Sequence, residues 1–195
     1  MNRRVIAYDF DGTLTKKDTF IAFLIHANGF FKTVLGLLRL SPTIIFYKLG
    51  ILSNEIAKER VFSFFFKNSD IELFNSYCES FAYKINKMTN TKTINSINEY
   101  TQENTQIIII SASIENWIIP WSEQYPVEKV IATKIEIDGN NRITGKFSTP
   151  NCYGKEKVNR LLQEFPNRND YELIAYGNNK GDYELIQVAD QGYYV

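Results

Sequence analysis

Asp9 and Asp11 stand two residues apart in "RRVIAYDFDGTLT", directly after a short apolar run. A run of that length, rich in strand formers, predicts a buried strand that ends at Asp9. Two carboxylates at such an exit leave on roughly the same side. One can hold Mg²⁺ and attack an electrophile while the other handles protons. Gly12 lets the chain turn sharply, and Thr13 brings a hydroxyl to the turn. The same residues also describe an ordinary strand end with an Asp-Gly turn, and alone they do not decide between the two.

Other positions could join this pair. Ser111 follows four isoleucines. A hydroxyl at a strand end, followed by the backbone N–H of Ala112, suits a phosphoryl oxygen, although serine is also a common strand terminator. Lys155 opens a predicted helix after Gly154, where its charge opposes the helix dipole unless it serves an anion. A solvated lysine would look the same. In "YGNNKGDYELIQVAD", Asn178 and Asp182 fall in a loop between a strand and a helix. Asp182 could cap that helix. Asn178 stands where the rhythm of a catalytic loop leads one to expect a second carboxylate. An amide oxygen still binds Mg²⁺, but the site loses a negative charge.

Stepping along the chain, texture shows what must position these groups. From about Thr19 to Lys87 apolar residues recur at helical spacing, with breaks at Asn28-Gly29, Ser41-Pro42 and Gly50, which predicts about four helices. Eleven of the fourteen phenylalanines lie in this block, so it is the aromatic part of the molecule. Afterwards helices and strands alternate: a helix over 91–102, the strand "TQIIIISAS" stopping at Ser111, and a helix "IENWIIPWSEQY" broken at Pro120. A strand or two with an Asp-Gly-Asn-Asn hairpin turn follow, then a helix from Lys155, the strand "YELIAYG", the loop, a helix and a final strand "GYYV". Such alternation implies an α/β fold, a Rossmann-like parallel sheet with helices on both faces and an inserted all-α cap. The expected division is a core of residues 1–15 and 88–195 and a cap of 16–87. Ligands of such sheets bind beyond the carboxyl ends of the strands, so Asp9, Ser111 and Asn178 could converge.

Composition excludes several classes. Acidic and basic residues balance at 22 each, which gives no footprint for nucleic acid. Cys78 and Cys152 are too far apart for a zinc motif and argue for a reducing compartment. The single histidine, His26, cannot build a His-based metal site.

Taken in order, Asp-x-Asp-Gly-Thr, Ser, Lys and Gly-Asn-x-x-x-Asp resemble the haloacid dehalogenase-like superfamily, most closely its phosphoserine phosphatase-like branch. "NCYGKEKVNRL" and the short apolar cap are similar to the bacterial type C phosphatidylglycerophosphatases. The resemblance implies a Mg²⁺-dependent phosphatase in which Asp9 forms an aspartyl phosphate and Asp11 acts as acid and then base. It implies that Ser111 and Lys155 bind the phosphate, with Gly12, Thr13 and Ala112 around it. Asp9, Asp11, Asn178 and Asp182 would make the metal site. Asp18 and Arg60 match cap positions that face the substrate, though Arg60 is equally a surface helix residue. The implied substrate is a phosphorylated small molecule or a lipid phosphate, and the implied location is cytoplasmic, at the inner face of a membrane if the cap meets lipid. The amide at 178 keeps a second reading open, a silent phosphate-binding protein with the same fold.

Overall fold

The computed structural model describes residues 3–100 and 104–195. Strand β1 (Arg3–Tyr8) is followed by helices α1 (Thr19–Asn28), α2 (Phe30–Arg39), α3 (Ser41–Lys48), α4 (Asn54–Phe66) and α5 (Ile71–Ile85). The helical block thus holds five helices. The break before α5 was not expected: Asn68 takes a left-handed backbone (φ 67°), and Asp70 caps α5 through the N–H groups of Glu72 and Leu73. Helix α6 (Thr91–Glu99) is capped by Tyr100, short of the predicted end, and residues 101 and 102 of the stretch predicted as helix lie outside the described residues.

Then come β2 (Thr105–Ile114), α7 (Glu115–Ser122), β3 (Lys129–Thr133), β4 (Ile135–Ile137), β5 (Ile143–Phe147), α8 (Lys155–Glu164), β6 (Tyr171–Gly177), α9 (Tyr183–Val188) and β7 (Gln191–Tyr194). Strand β2 does not stop at Ser111. Its register against β3 shifts between Ser111 and Ile114, and the strand carries on. Helix α7 runs through Pro120. Trp117, Ile118 and Trp121 are fully buried around it, and that burial offsets the backbone hydrogen bond that proline removes.

The main sheet has the order β3-β2-β1-β6-β7, all pairs parallel. Period-two alternation sorts its side chains onto two faces. Val5, Ala7, Ile108, Ile110, Leu173 and Ala175 pack with Leu161 of α8 and Leu185 of α9. Ile6, Tyr8, Ile107 and Ile109 pack with Trp117, Trp121 and the phenylalanines of the helical block. Helices therefore cover both faces, as expected of an α/β fold. Tyr8, Tyr176 and Tyr193, adjacent in register, stack at centroid distances of 4.7 and 5.1 Å. This ladder ties the ends of β1 and β6, which lead into the loops carrying Asp9 and Asp182, to the edge strand β7. The antiparallel pair β4-β5 stands apart from the main sheet and bonds to α4, with Phe147 N–H donating to Glu59 at 2.9 Å.

Candidate active site

The carboxyl ends of β1, β2 and β6 and the N-terminus of α8 open on a cleft of about 370 Å³. Asp9 lies one residue beyond β1, its N–H held by the Tyr176 carbonyl at 2.8 Å. The Asp9 carboxylate is buried. Its Oδ2 accepts from Thr13 Oγ1 at 3.0 Å, and its Oδ1 accepts from Lys157 Nζ at 2.5 Å. The same ammonium donates to Asp182 Oδ1 at 2.6 Å. Asp182 Oδ2 accepts from the N–H groups of Asn178 and Asn179, at 2.9 and 3.2 Å. Burial pushes Asp9 up to about 6 despite the pull of Lys157, with Asp182 and Asp11 adding to the rise. Burial alone would depress Lys157, but the two carboxylates outweigh it and hold the ammonium above its ordinary range.

Asp11 meets the helical block. Its Oδ1 accepts from the backbone N–H and the hydroxyl of Thr19, at 2.7 and 2.6 Å, and its Oδ2 from Ser113 Oγ. Thr19 is the first residue of α1, so the carboxylate sits on that helix's N-terminal dipole. Burial and the nearby Asp18 nonetheless raise the Asp11 pKa, with Lys58 opposing. Ser111 is buried, lines the cleft, and accepts from Ser113 N–H at 3.0 Å. Ala112 also lines the cleft.

Gly12 is indispensable to this packing. Its φ is +84°, and a Cβ there would stand 1.7 Å from Asn178 Nδ2. Asn178 is thereby placed against the turn that follows Asp11, although its side chain is exposed and its Oδ1 accepts from Asn179 Nδ2 at 2.5 Å. Gly12→Ala should lower the unfolding free energy by about 1–3 kcal/mol through backbone strain alone. A denaturation midpoint equal to that of the wild type would contradict the left-handed backbone at position 12 and its contact with the Asn178 amide.

Two expected residues lie away from the cleft, and a third borders it with its carboxylate engaged in a helix cap. Lys155 is exposed at the start of α8, and Lys157 provides the buried ammonium instead. Two residues along a helix is a rotation of roughly 200°, hence the opposite face. The signal was present: Lys157 lies four residues before Leu161, on the stripe that packs against the sheet. Arg60 is likewise exposed and away from the cleft, while Lys58 of the same helix lines it. Lys58 Nζ donates to the Ala112 carbonyl at 2.8 Å and lies 5.0 Å from the centroid of the Phe20 ring. Burial lowers its pKa, opposed by Asp11, Asp18 and Asp9. Asp18 borders the cleft, but its carboxylate caps α1, accepting from Phe20 N–H at 2.8 Å and Ile21 N–H at 3.3 Å. Ser113 was missed, although its two-residue spacing from Ser111 puts both hydroxyls on one side of the strand.

Asp182 accepts from Lys157 and from the N–H groups of Asn178 and Asn179, and so anchors the last loop to α8. Among the described residues no group of three or more His, Cys, Asp or Glu side chains converges as a metal cluster. The remaining donors near the Asp11 turn are oxygens: the Asp9 carboxylate, the main-chain carbonyl of Asp11 and the Asn178 amide. That set fits a hard cation such as Mg²⁺. Chemically the cleft combines two carboxylates, hydroxyls and two ammonium groups.

Comparison with known proteins bears on this arrangement. The chain is 29% identical over 191 residues to the protein CicA of Caulobacter vibrioides, an alignment covering 96% of this chain and 83% of that one. A Bordetella pertussis Tohama I protein of unknown function shares its fold with a TM-score of 0.80, at 19% identity over 96% of this chain and 87% of the other. A substrate-bound phosphoserine phosphatase shares it at 0.63, with 15% identity over 97% and 84%. Those two likenesses are of fold. The model of the haloacid dehalogenase-like hydrolase family matches residues 6–187, from within β1 to within α9, so that Asp9, Ser111, Lys157 and Asp182 all fall inside it. The chain belongs to the haloacid dehalogenase-like hydrolases.

Proposed function

We infer that the protein is a Mg²⁺-dependent phosphatase that hydrolyses a phosphomonoester through an aspartyl phosphate on Asp9. The observation that carries the reading is the second carboxylate: Asp11 borders the same cleft as Asp9, where acyl or halide chemistry would have no use for a proton donor toward an alcohol. An Asp9 oxygen attacks phosphorus and the bond to the leaving oxygen breaks, while Asp11, protonated, delivers its proton to that oxygen. Asp11, now ionised, takes a proton from water as the water oxygen attacks phosphorus, and phosphate leaves with Asp9 restored. Lys157, Ser111 and Thr13 hold the phosphoryl oxygens and orient Asp9. Asp9, the Asp11 carbonyl and Asn178 would hold Mg²⁺, which supplies neutralisation of the phosphoryl charge when bound. Residues 16–87 act as a cap over a core of 1–15 and 88–195, with Lys58 reaching from the cap to the Ala112 carbonyl. The fold relationship to phosphoserine phosphatases supports the phosphatase reading.

A second reading, phosphate binding without turnover, is favoured by one observation: Asn178 offers a neutral oxygen to a dication. One experiment separates the two. Hydrolysis of a generic aryl phosphate is titrated with Mg²⁺ for the wild type and Asn178→Asp. The expected result is turnover in both, with half-saturation shifted to lower Mg²⁺ by about 10–100-fold in the variant and the rate advantage vanishing at saturating metal. Identical half-saturation would remove Asn178 from the metal site. An active variant beside a wild type dead at every metal concentration would establish the silent reading.

A further inference from the structure

From residue 19 to residue 53 the chain carries no Asp or Glu, while Lys32, Arg39 and Lys48 are all exposed. Helix α2 packs inward through small residues: Thr33 is buried, and a Cβ on Gly36 would stand 2.4 Å from the Phe65 ring. Its outward stripe is therefore apolar, with Phe31 81% exposed, Leu35 67% and Leu38 64%. This inverts the ordinary arrangement, in which the apolar face of a helix turns to the core. Ile45, Phe46, Leu49 and Ile51, from α3 and the turn after it, are exposed as well. Contiguous apolar surface of this kind marks an interaction site.

The patch is connected to the cleft. Ile44 lines the cleft with Phe20, Ile21 and Tyr47, and it also lines a groove of about 340 Å³ between α2 and α3 with Val34 and Leu38. The helical block lines the cleft with Asp18, Asn54 and Lys58 and with an apolar strip of Phe20, Ile21, Ile44 and Tyr47, and that strip runs up to the junction with the exposed face. No single described helix is long and apolar enough to cross a membrane. Helices α1 and α2 meet at a bend of 118°, and α1 buries Phe20, Phe23 and Leu24 in the core. The face is therefore suited to lie on a surface. Three cations with no intervening anion would repel a second copy of the same face and attract an anionic surface.

We propose that the α2–α3 face docks on an anionic lipid surface, and that the cleft takes from it a phosphomonoester whose alcohol carries a long apolar chain, passing Ile44. The substrate class rests on the phosphatase reading; the docking does not. The test compares the wild type with the double variant Phe31→Ser, Leu35→Ser, neither residue being part of the cleft. Both are sedimented with vesicles of phosphatidylglycerol and phosphatidylcholine at low and high salt. Both are assayed on an aryl phosphate and on alkyl phosphates of increasing chain length. The wild type should bind the anionic vesicles at low salt, and binding should fall by about tenfold at high salt and in the variant. Its kcat/KM should rise with chain length, and the aryl phosphate rate should be equal in both proteins. Absence of vesicle binding at low salt, or equal binding by the variant, would overturn the docking. So would a concentration-dependent dimer that the variant abolishes, since a second copy would then cover the face. A kcat/KM independent of chain length, with the aryl phosphate hydrolysed, would overturn the substrate class alone. Failure on every phosphomonoester would instead overturn the phosphatase reading, leaving sedimentation to judge the docking.

Discussion

Asp9→Asn should reduce phosphomonoester hydrolysis by on the order of 10³-fold or more while leaving the fold intact. The carboxamide is nearly isosteric with the carboxylate: its oxygen can still accept from Lys157, which now donates to Asp9 Oδ1 at 2.5 Å, while its NH2 takes the place of Oδ2, where the Thr13 hydroxyl, 3.0 Å away, can turn to accept. It cannot form a carboxyl phosphate by displacement. Both the far-ultraviolet circular dichroism spectrum and the denaturation transition should remain cooperative. Residual turnover above a few per cent of the wild-type rate (roughly the most that contaminating or deamidated enzyme supplies) would place the nucleophile elsewhere.

Lys157→Met should be the most destabilising single change at the site. The ammonium bridges two buried carboxylates, Asp9 and Asp182, and its side chain is 2% exposed. Removing one member of a buried charge cluster leaves the others uncompensated, at a cost of about 3–5 kcal/mol. Activity should be lost as well, because Asp9 then faces Asp182 without a cation between them. Lys155→Met is the control. That side chain is exposed, and the change should move stability by no more than about 0.5 kcal/mol. Urea denaturation of the two variants side by side decides the matter. Comparable losses would return the structural role to Lys155 and undo the placement of α8.

The contrast between those two lysines also shows where sequence reasoning succeeds and where it stops. Asp9 was legible because a buried strand has a recognisable texture and a parallel sheet delivers the ends of its strands to one edge; Ser111 reaches the same cleft, although β2 runs on past it to Ile114. No rotation about an axis had to be known. On helices the element was right and the face was wrong, twice. Lys155 and Arg60 each lie two residues from the lysine that enters the cleft, and only the packing of Leu161 on the sheet and of Phe62 in the core fixes which side turns inward. The apolar stripe, read more strictly, points to Lys157 and Lys58. For α2 even that rule reverses, since Thr33 and Gly36 pack inward and the large apolar residues face out. The amide at 178 and the Asp-Gly turn were visible as residues. Their mutual contact was not, because it joins two loops 166 positions apart whose approach depends on Gly12 having no side chain.

The most direct test of the aspartyl-phosphate mechanism is rapid-quench mass spectrometry of the protein during turnover of an aryl phosphate in saturating Mg²⁺. The expected result is a transient species heavier by one phosphoryl group, with the modification on the peptide carrying Asp9, lost on brief exposure to base and absent from Asp9→Asn. A phosphoryl group found on another residue, or a burst of released phosphate with no modified protein at any time point, would contradict it.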